Sequence, residues 1–201
     1  AAIVEVNCET DFVARNEAFQ AFAQSVANLV LAAQPDSMEA LQTATLDGIT
    51  VADKLNEMTG KIGEKIDVRR FEITSAAGTV VSYIHPGARL GVLVELTADN
   101  EEAGRDVAMQ VAALDPIALH ADQVSDEIKQ REMEIARDRA INEGKPENII
   151  DRIAQGALNS FFKERVLLDQ AFVKDPKQTV AQMLKKAEVD VVKFVRFVLG
   201  G

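Results

Sequence analysis

Leu93-Val94-Glu95-Leu96 repeats Ile3-Val4-Glu5-Val6, and the segments after these two stretches repeat as well. In both places a polar, acidic link leads into a helical run: Phe22 to Leu29 in the first copy, Val107 to Ala113 in the second. Each run is closed by a proline, Pro35 and Pro116. The ends of the copies also correspond, since Val68-Arg69-Arg70-Phe71-Glu72-Ile73 is echoed by Lys193-Phe194-Val195-Arg196-Phe197-Val198. The pattern reads as a duplicated α+β unit built from a strand, a helix, a connecting segment and a strand.

Around the repeat, Ala2 to Val6 is a strand, and Phe19, Phe22, Ala23, Val26, Leu29, Val30 and Ala33 recur at helical spacing. Shorter helical patterns surround Met38 to Leu41 and Val51 to Met58, with Gly48 and Gly60 as punctuation. Ile66, Val68, Phe71 and Ile73 alternate as a strand. Thr79 to Ile84 and Leu90 to Leu96 are two further strands, joined at Pro86-Gly87 in a link that suits a hairpin. The strand at Leu90 therefore has a hairpin partner, whereas nothing precedes Ala1. Without a partner Ala2 to Val6 would present an apolar edge, so the natural protein is expected to extend upstream.

Residues 123 to 143 and 147 to 165 form an inserted helical hairpin, with Gly144 as a C-terminal cap and Pro146 in a first helical turn. Ile150, Ile153, Ala154, Ala157, Leu158 and Phe161 make an apolar stripe expected to face Val124, Ile128, Met133 and Ile135. The hairpin is either a solvated pair packed on itself or a projecting arm for self-association or partner contact, for which Phe162 is a spare apolar residue. The expected domains are 1–77, then 78–121 with 166–201, and the hairpin at 122–165.

Composition restricts the function classes. With 201 residues, 47% of them apolar, the chain can bury a sizeable core. A net charge of -10 argues against a phosphate-binding surface and hence against nucleic acid as a direct partner. The single Cys8 permits no internal disulfide, which suits a reducing compartment, cytosol or organelle matrix. No apolar run reaches about 18 residues, so no membrane span is expected, and no secretory leader is present in this numbering. His85 and His120 are far apart in sequence and no His/Cys/Asp cluster has metal-ligand spacing. No glycine loop of the kinds that cradle nucleotide phosphates occurs. Acidic neighbours of Cys8 disfavour a thiolate.

One segment remains unexplained by folding alone, Val6-Asn7-Cys8-Glu9-Thr10-Asp11-Phe12-Val13-Ala14-Arg15-Asn16, which places an aromatic ring beside a carboxylate in a polar link. Asp11 could act with His85 as an acid/base pair if the fold joined them, or could merely cap the helix beginning near Ala14. The corresponding link in the second copy, Thr97 to Glu102, keeps the acidic character but has no Phe. The fold does not need a ring there, which leaves Phe12 for a partner.

Glu5-Val6-Asn7-Cys8-Glu9-Thr10-Asp11-Phe12-Val13-Ala14-Arg15 resembles the signature of the elongation factor Ts family. Lys61-Ile62-Gly63-Glu64-Lys65-Ile66, Arg69-Arg70, Tyr83-Ile84-His85-Pro86-Gly87-Ala88-Arg89-Leu90-Gly91-Val92-Leu93-Val94, Asn142-Glu143-Gly144-Lys145-Pro146, Phe172-Val173-Lys174-Asp175 and Arg196-Phe197 agree in order, so the likeness spans nearly the whole chain. It implies two α+β subdomains with three-stranded antiparallel sheets, an inserted coiled-coil hairpin, and an N-terminal helical domain that this sequence lacks. The function it implies is guanine-nucleotide exchange on elongation factor Tu, with no chemical reaction catalysed and no cofactor of its own beyond the GDP and magnesium held by the partner. By the same resemblance the Asp11-Phe12 pair wedges into the partner's GTPase domain near magnesium, with Phe12 received beside Ile62 and His85. Partner contacts carry over to Thr10, Asp11, Phe12, Val13, Ile62, Gly63, His85, Val173 and Lys174. Pro86 stands where some relatives have glycine, which bears on the aim of His85. A homodimer or a 2:2 complex with the partner is a further implication. The implied location is the bacterial cytoplasm, with the mitochondrial matrix or plastid stroma as alternatives. Two other classes stand beside this one: a scaffold dimerising through the hairpin, and an enzyme using Asp11 and His85.

Overall fold

The computed structural model describes residues 1–200. It contains small antiparallel sheets and helices in the repeating order that the sequence predicts. In the first copy, β1 (Ala2–Asn7) is followed by a one-turn helix α1 (Asp11–Ala14), the long helix α2 (Glu17–Ala33) and α3 (Met38–Thr43). A short hairpin of β2 (Thr45–Leu46) and β3 (Ile49–Thr50), helix α4 (Val51–Ile62) and strand β4 (Asp67–Ile73) complete it. After β5 (Val80–Ile84), the second copy begins with β6 (Leu90–Leu96) and α5 (Glu101–Leu114). The hairpin of α6 (Asp126–Asn142) and α7 (Glu147–Arg165) comes next, then β7 (Ala171–Phe172), β8 (Asp175–Thr179), α8 (Val180–Lys186) and β9 (Val191–Val198).

The duplication extends to details of capping. Asn16 and Asn100 both cap their long helices, accepting from the backbone N–H groups of Ala18 and Phe19 and of Ala103 respectively. Those helices end alike, in Gln34 and Asp115, each at φ 47° and each followed by proline. Proline excludes the α conformation from the residue before it, and the left-handed residue satisfies a last-turn carbonyl. Thr50 and Thr179 then cap the second helices through Asp53 N–H and Gln182 N–H. Even the hairpin entry repeats: Val51 N–H donates to Ala44 O, and Val180 N–H to Gln170 O, each at 3.0 Å.

Two expectations need correction. The first sheet, β1 paired antiparallel with β4, has two strands among the described residues rather than three, whereas the second has the order β5-β6-β9. Gly60 lies inside α4 and does not interrupt it; the helix runs on to Ile62 and closes at Gly63, whose φ of 81° suits a residue without Cβ.

By compactness the chain forms two units, residues 1–76 with 82–93 and 195–201, and residues 77–81 with 94–194. The first is centred on Phe19, Phe22, Val26, Val30, Leu41, Val51 and Met58, with Ile66 and Val68 beneath them. Glu5 is deeply buried in this unit, and its carboxylate accepts from Arg70 Nε at 2.7 Å; the Arg70 guanidinium also lies 4.3 Å from the centre of the Phe197 ring and donates to Val198 O. The second unit buries Val94, Leu96, Val107, Ala108, Val111, Leu167, Val180 and Leu184.

Within that second unit α5 lies so close to the strands that a Cβ at Gly104 would come 2.4 Å from Val81 Cγ2 and 3.0 Å from Leu96 Cδ1. Gly104→Ala should therefore cost about 1 to 3 kcal/mol of stability despite the better helix propensity of alanine. Chemical denaturation would show it as a lower midpoint.

The hairpin forms where expected but packs differently. Ala154 and Leu158 of α7 are buried, and on α6 the buried residue is Ala140, with Met133 and Ala136 half-buried. Ile128 and Ile135, expected to face α7, are exposed. The seam on α6 runs through 133, 136 and 140, and small alanines there let the helices approach while the isoleucines fall on the flank. Phe162 is not spare, because it packs on Ala118, Val124 and Val166 at the base of the hairpin. That base is fastened by Ile117 N–H to Arg165 O at 2.8 Å and Leu167 N–H to Ala118 O at 2.9 Å.

Candidate functional site

The link from β1 to α2 differs in length between the two copies. Asn7 ends β1 and Glu17 begins α2, leaving the nine residues 8–16; Leu96 ends β6 and Glu101 begins α5, leaving the four residues 97–100. The extra chain in the first copy is wound into α1. Thr10 caps it, its hydroxyl accepting from Val13 N–H at 3.4 Å, and Asn16 interrupts the helical path by adopting an extended conformation as the cap of α2. The carboxylate expected to cap the helix near Ala14 does not do so. Thr10 and Asn16 fill the two cap positions, and Asp11, in the first turn, forms an ion pair with Arg89 instead.

Four residues are too few to hold a helix by backbone bonds alone, so side chains must fix it. Val13 is its anchor, 8% exposed and part of the core of the first unit. Glu64, just past the Gly63 cap of α4, grips the other end: Oε2 accepts from Thr10 N–H at 3.0 Å and Oε1 from the Thr10 hydroxyl at 2.7 Å. Glu9 returns the contact by accepting from Lys65 N–H at 3.4 Å. Phe12 then projects from the far side of the turn with 88% of its surface exposed. Burying a phenyl ring is favourable by about 1.5 to 3 kcal/mol, and this ring forgoes that gain in the free chain.

His85 and Ile62 belong to the same unit as Phe12. Ile62 is half-buried against the core at the end of α4. His85 is exposed; its Nδ1 shares a hydrogen bond of 2.9 Å with the Tyr83 hydroxyl. Pro86 and Gly87 occupy the two central positions of a turn closed by Ala88 N–H to His85 O at 2.9 Å, with Gly87 at φ 90°. His85 N–H still reaches Leu90 O, so the proline leaves the histidine in its strand register. Asp11 bonds Arg89 and His85 bonds Tyr83, so the acid/base pairing of Asp11 with His85 is not formed.

In the second unit, Val173 and Lys174 form the exposed tip of the β7–β8 hairpin. Two residues one turn apart on α5 hold it. Gln110, fully buried, accepts from Val173 N–H at 2.8 Å and donates to Ala171 O at 3.0 Å and Gln170 Oε1 at 3.1 Å; Asp106 pairs with Lys174. Neither these two nor Glu64 and Arg89 is marked as a site residue by local pattern, since each acts on a segment 54 or more positions away.

Cys8, beside the motif, is half-buried, and its thiol pKa is pushed up chiefly by desolvation and further by the nearby Glu64 and Asp11 carboxylates. It is a poor nucleophile at neutral pH. No helix among the described residues is long and apolar enough to cross a membrane.

Residues 9–201 match the family described as "Elongation factor TS". The chain belongs to the elongation factor Ts family. Proteins named elongation factor Ts from Burkholderia mallei, Burkholderia pseudomallei and Burkholderia multivorans are each 46% identical over 199 residues, covering 99% of this chain and 68% of theirs. The family places the chain in translation elongation, a step of protein biosynthesis.

Proposed function

We propose that this chain is a guanine-nucleotide exchange factor that binds elongation factor Tu and promotes its release of GDP. The observation that carries this reading is the Phe12 ring, held out in water on a helical turn that is fastened on its other sides. An exposed, preorganised aromatic residue is what a binding surface places at its energetic centre, because little entropy is lost when it docks. The adjacent Asp11, paired with Arg89 and exposed like it, supplies polar surface beside the ring.

The mechanism is linkage, with no bond made or broken. A protein that binds the nucleotide-free GTPase more tightly than the GDP-bound form must weaken GDP binding by the same factor. Phe12 enters the GTPase domain near the magnesium and phosphate contacts; Ile62, Gly63 and His85 line the approach, and Val173 with Lys174 make a second contact from the β7–β8 tip. The protein acts on GDP and magnesium held by its partner, in the bacterial cytoplasm, and needs no cofactor of its own.

Release of a fluorescent GDP analogue from elongation factor Tu, chased with unlabelled GDP, tests the reading. Adding the chain should raise the release rate in a saturable manner. A rate that does not change at any concentration would exclude exchange.

A further inference from the structure

We infer that Glu64 is a positioning residue for exchange, which keeps α1 folded so that Phe12 meets the partner already in place; the inference rests on the exchange reading above. Glu64 uses both carboxylate oxygens on one residue, taking the Thr10 backbone N–H at 3.0 Å and the Thr10 hydroxyl at 2.7 Å. Thr10 is in turn the cap of α1, and its carbonyl accepts the Ala14 N–H at 3.1 Å, the bond that closes the turn. The carboxylate thus fixes both the position and the rotamer of the side chain that starts the helix. Glu64 is itself set by the end of α4, directly after the left-handed Gly63. Glu9 and Lys65 add a second strap between the same two segments. An ion pair of Asp11 with Arg89, both exposed, contributes little to such ordering.

Loss of the Glu64 clamp leaves a four-residue helix that nucleates poorly, so the competent population of the free chain falls and apparent affinity falls with it. Once bound, the partner itself orders the turn, and the maximal rate is retained. Phe12 has the opposite signature, because it acts in the complex.

The test is GDP release from elongation factor Tu titrated with the full chain. Glu64→Ala should raise the concentration needed for half-maximal acceleration about tenfold with the maximal rate unchanged, matching the loss of about one charge-assisted hydrogen-bonded clamp. Glu64→Gln, whose amide can still accept from Thr10 N–H and donate to its hydroxyl, should recover most of the loss. In the free chain, hydrogen exchange at the Ala14 amide should accelerate in Glu64→Ala while the amides of α2 stay protected, which separates loss of the turn from loss of the fold. An unchanged half-saturating concentration, or a maximal rate that falls with no change in that concentration, would overturn the inference. If Phe12→Ala leaves exchange untouched, the exchange role assigned to the turn fails first; if Phe12→Ala impairs exchange and Glu64→Ala does not, only the positioning role fails.

Discussion

Phe12→Ala should lower the acceleration of GDP release by about tenfold to a hundredfold at saturating concentrations of the chain, the equivalent of the roughly 1.5 to 3 kcal/mol that burial of a phenyl ring supplies. Its thermal unfolding should match that of the parent. The ring is 88% exposed and the turn beneath it is held by Thr10, Val13 and Glu64, none of which the substitution touches. Stopped-flow release of a fluorescent GDP analogue reads the first effect and a melting curve the second. A melting temperature that falls with the rate would mean that Phe12 supports the fold. Leucine in its place keeps much of the apolar area without the flat ring and should fall between the two.

Gln110→Leu should be among the most destabilising single changes, about 2 to 4 kcal/mol, although leucine is close to glutamine in volume. Gln110 has no exposed surface and satisfies three groups at once: Val173 N–H, Ala171 O and Gln170 Oε1. An apolar replacement leaves the part-buried Val173 N–H and the buried Gln170 oxygen without the partner each has now, and the cost of desolvating them is then uncompensated. In a chain of this size the loss corresponds to a melting temperature lower by about 5 to 15 °C. The β7–β8 tip carrying Val173 and Lys174 should loosen as well, which hydrogen exchange at the Val173 amide would report. A variant melting within a degree or two of the parent would show that the network is not cooperative.

The repeat is legible in the sequence because it is written in hydrophobic period and terminal punctuation, and those are local. Pro35 and Pro116 mark helix ends, and Ile3 to Val6 and Leu93 to Leu96 mark strands, without reference to the rest of the chain. The motif around Phe12 is legible as an anomaly, a ring with no role in the fold. Its extra helical turn is not, since Thr10 and Asn16 are both good caps and only the structure shows that each is used. The hairpin seam is misread for a related reason: Ile128 and Ile135 are more apolar than Ala136 and Ala140, yet close helix approach favours the alanines. The groups that hold the site together lie furthest from reach. Glu64, Arg89, Asp106 and Gln110 each act on a segment distant in sequence, and an acidic, basic or amide residue on a helix or in a turn carries no local sign of the partner it will find.

Phe12 as the carrier of coupling is tested most directly by the affinity of elongation factor Tu for GDP, measured with saturating parent chain and then with saturating Phe12→Ala. The parent should weaken GDP binding strongly, and the variant should restore it by about tenfold or more while still binding the partner through its remaining contacts. Equal weakening by both proteins would contradict the account, and would move the coupling from the exposed ring to some other part of the chain.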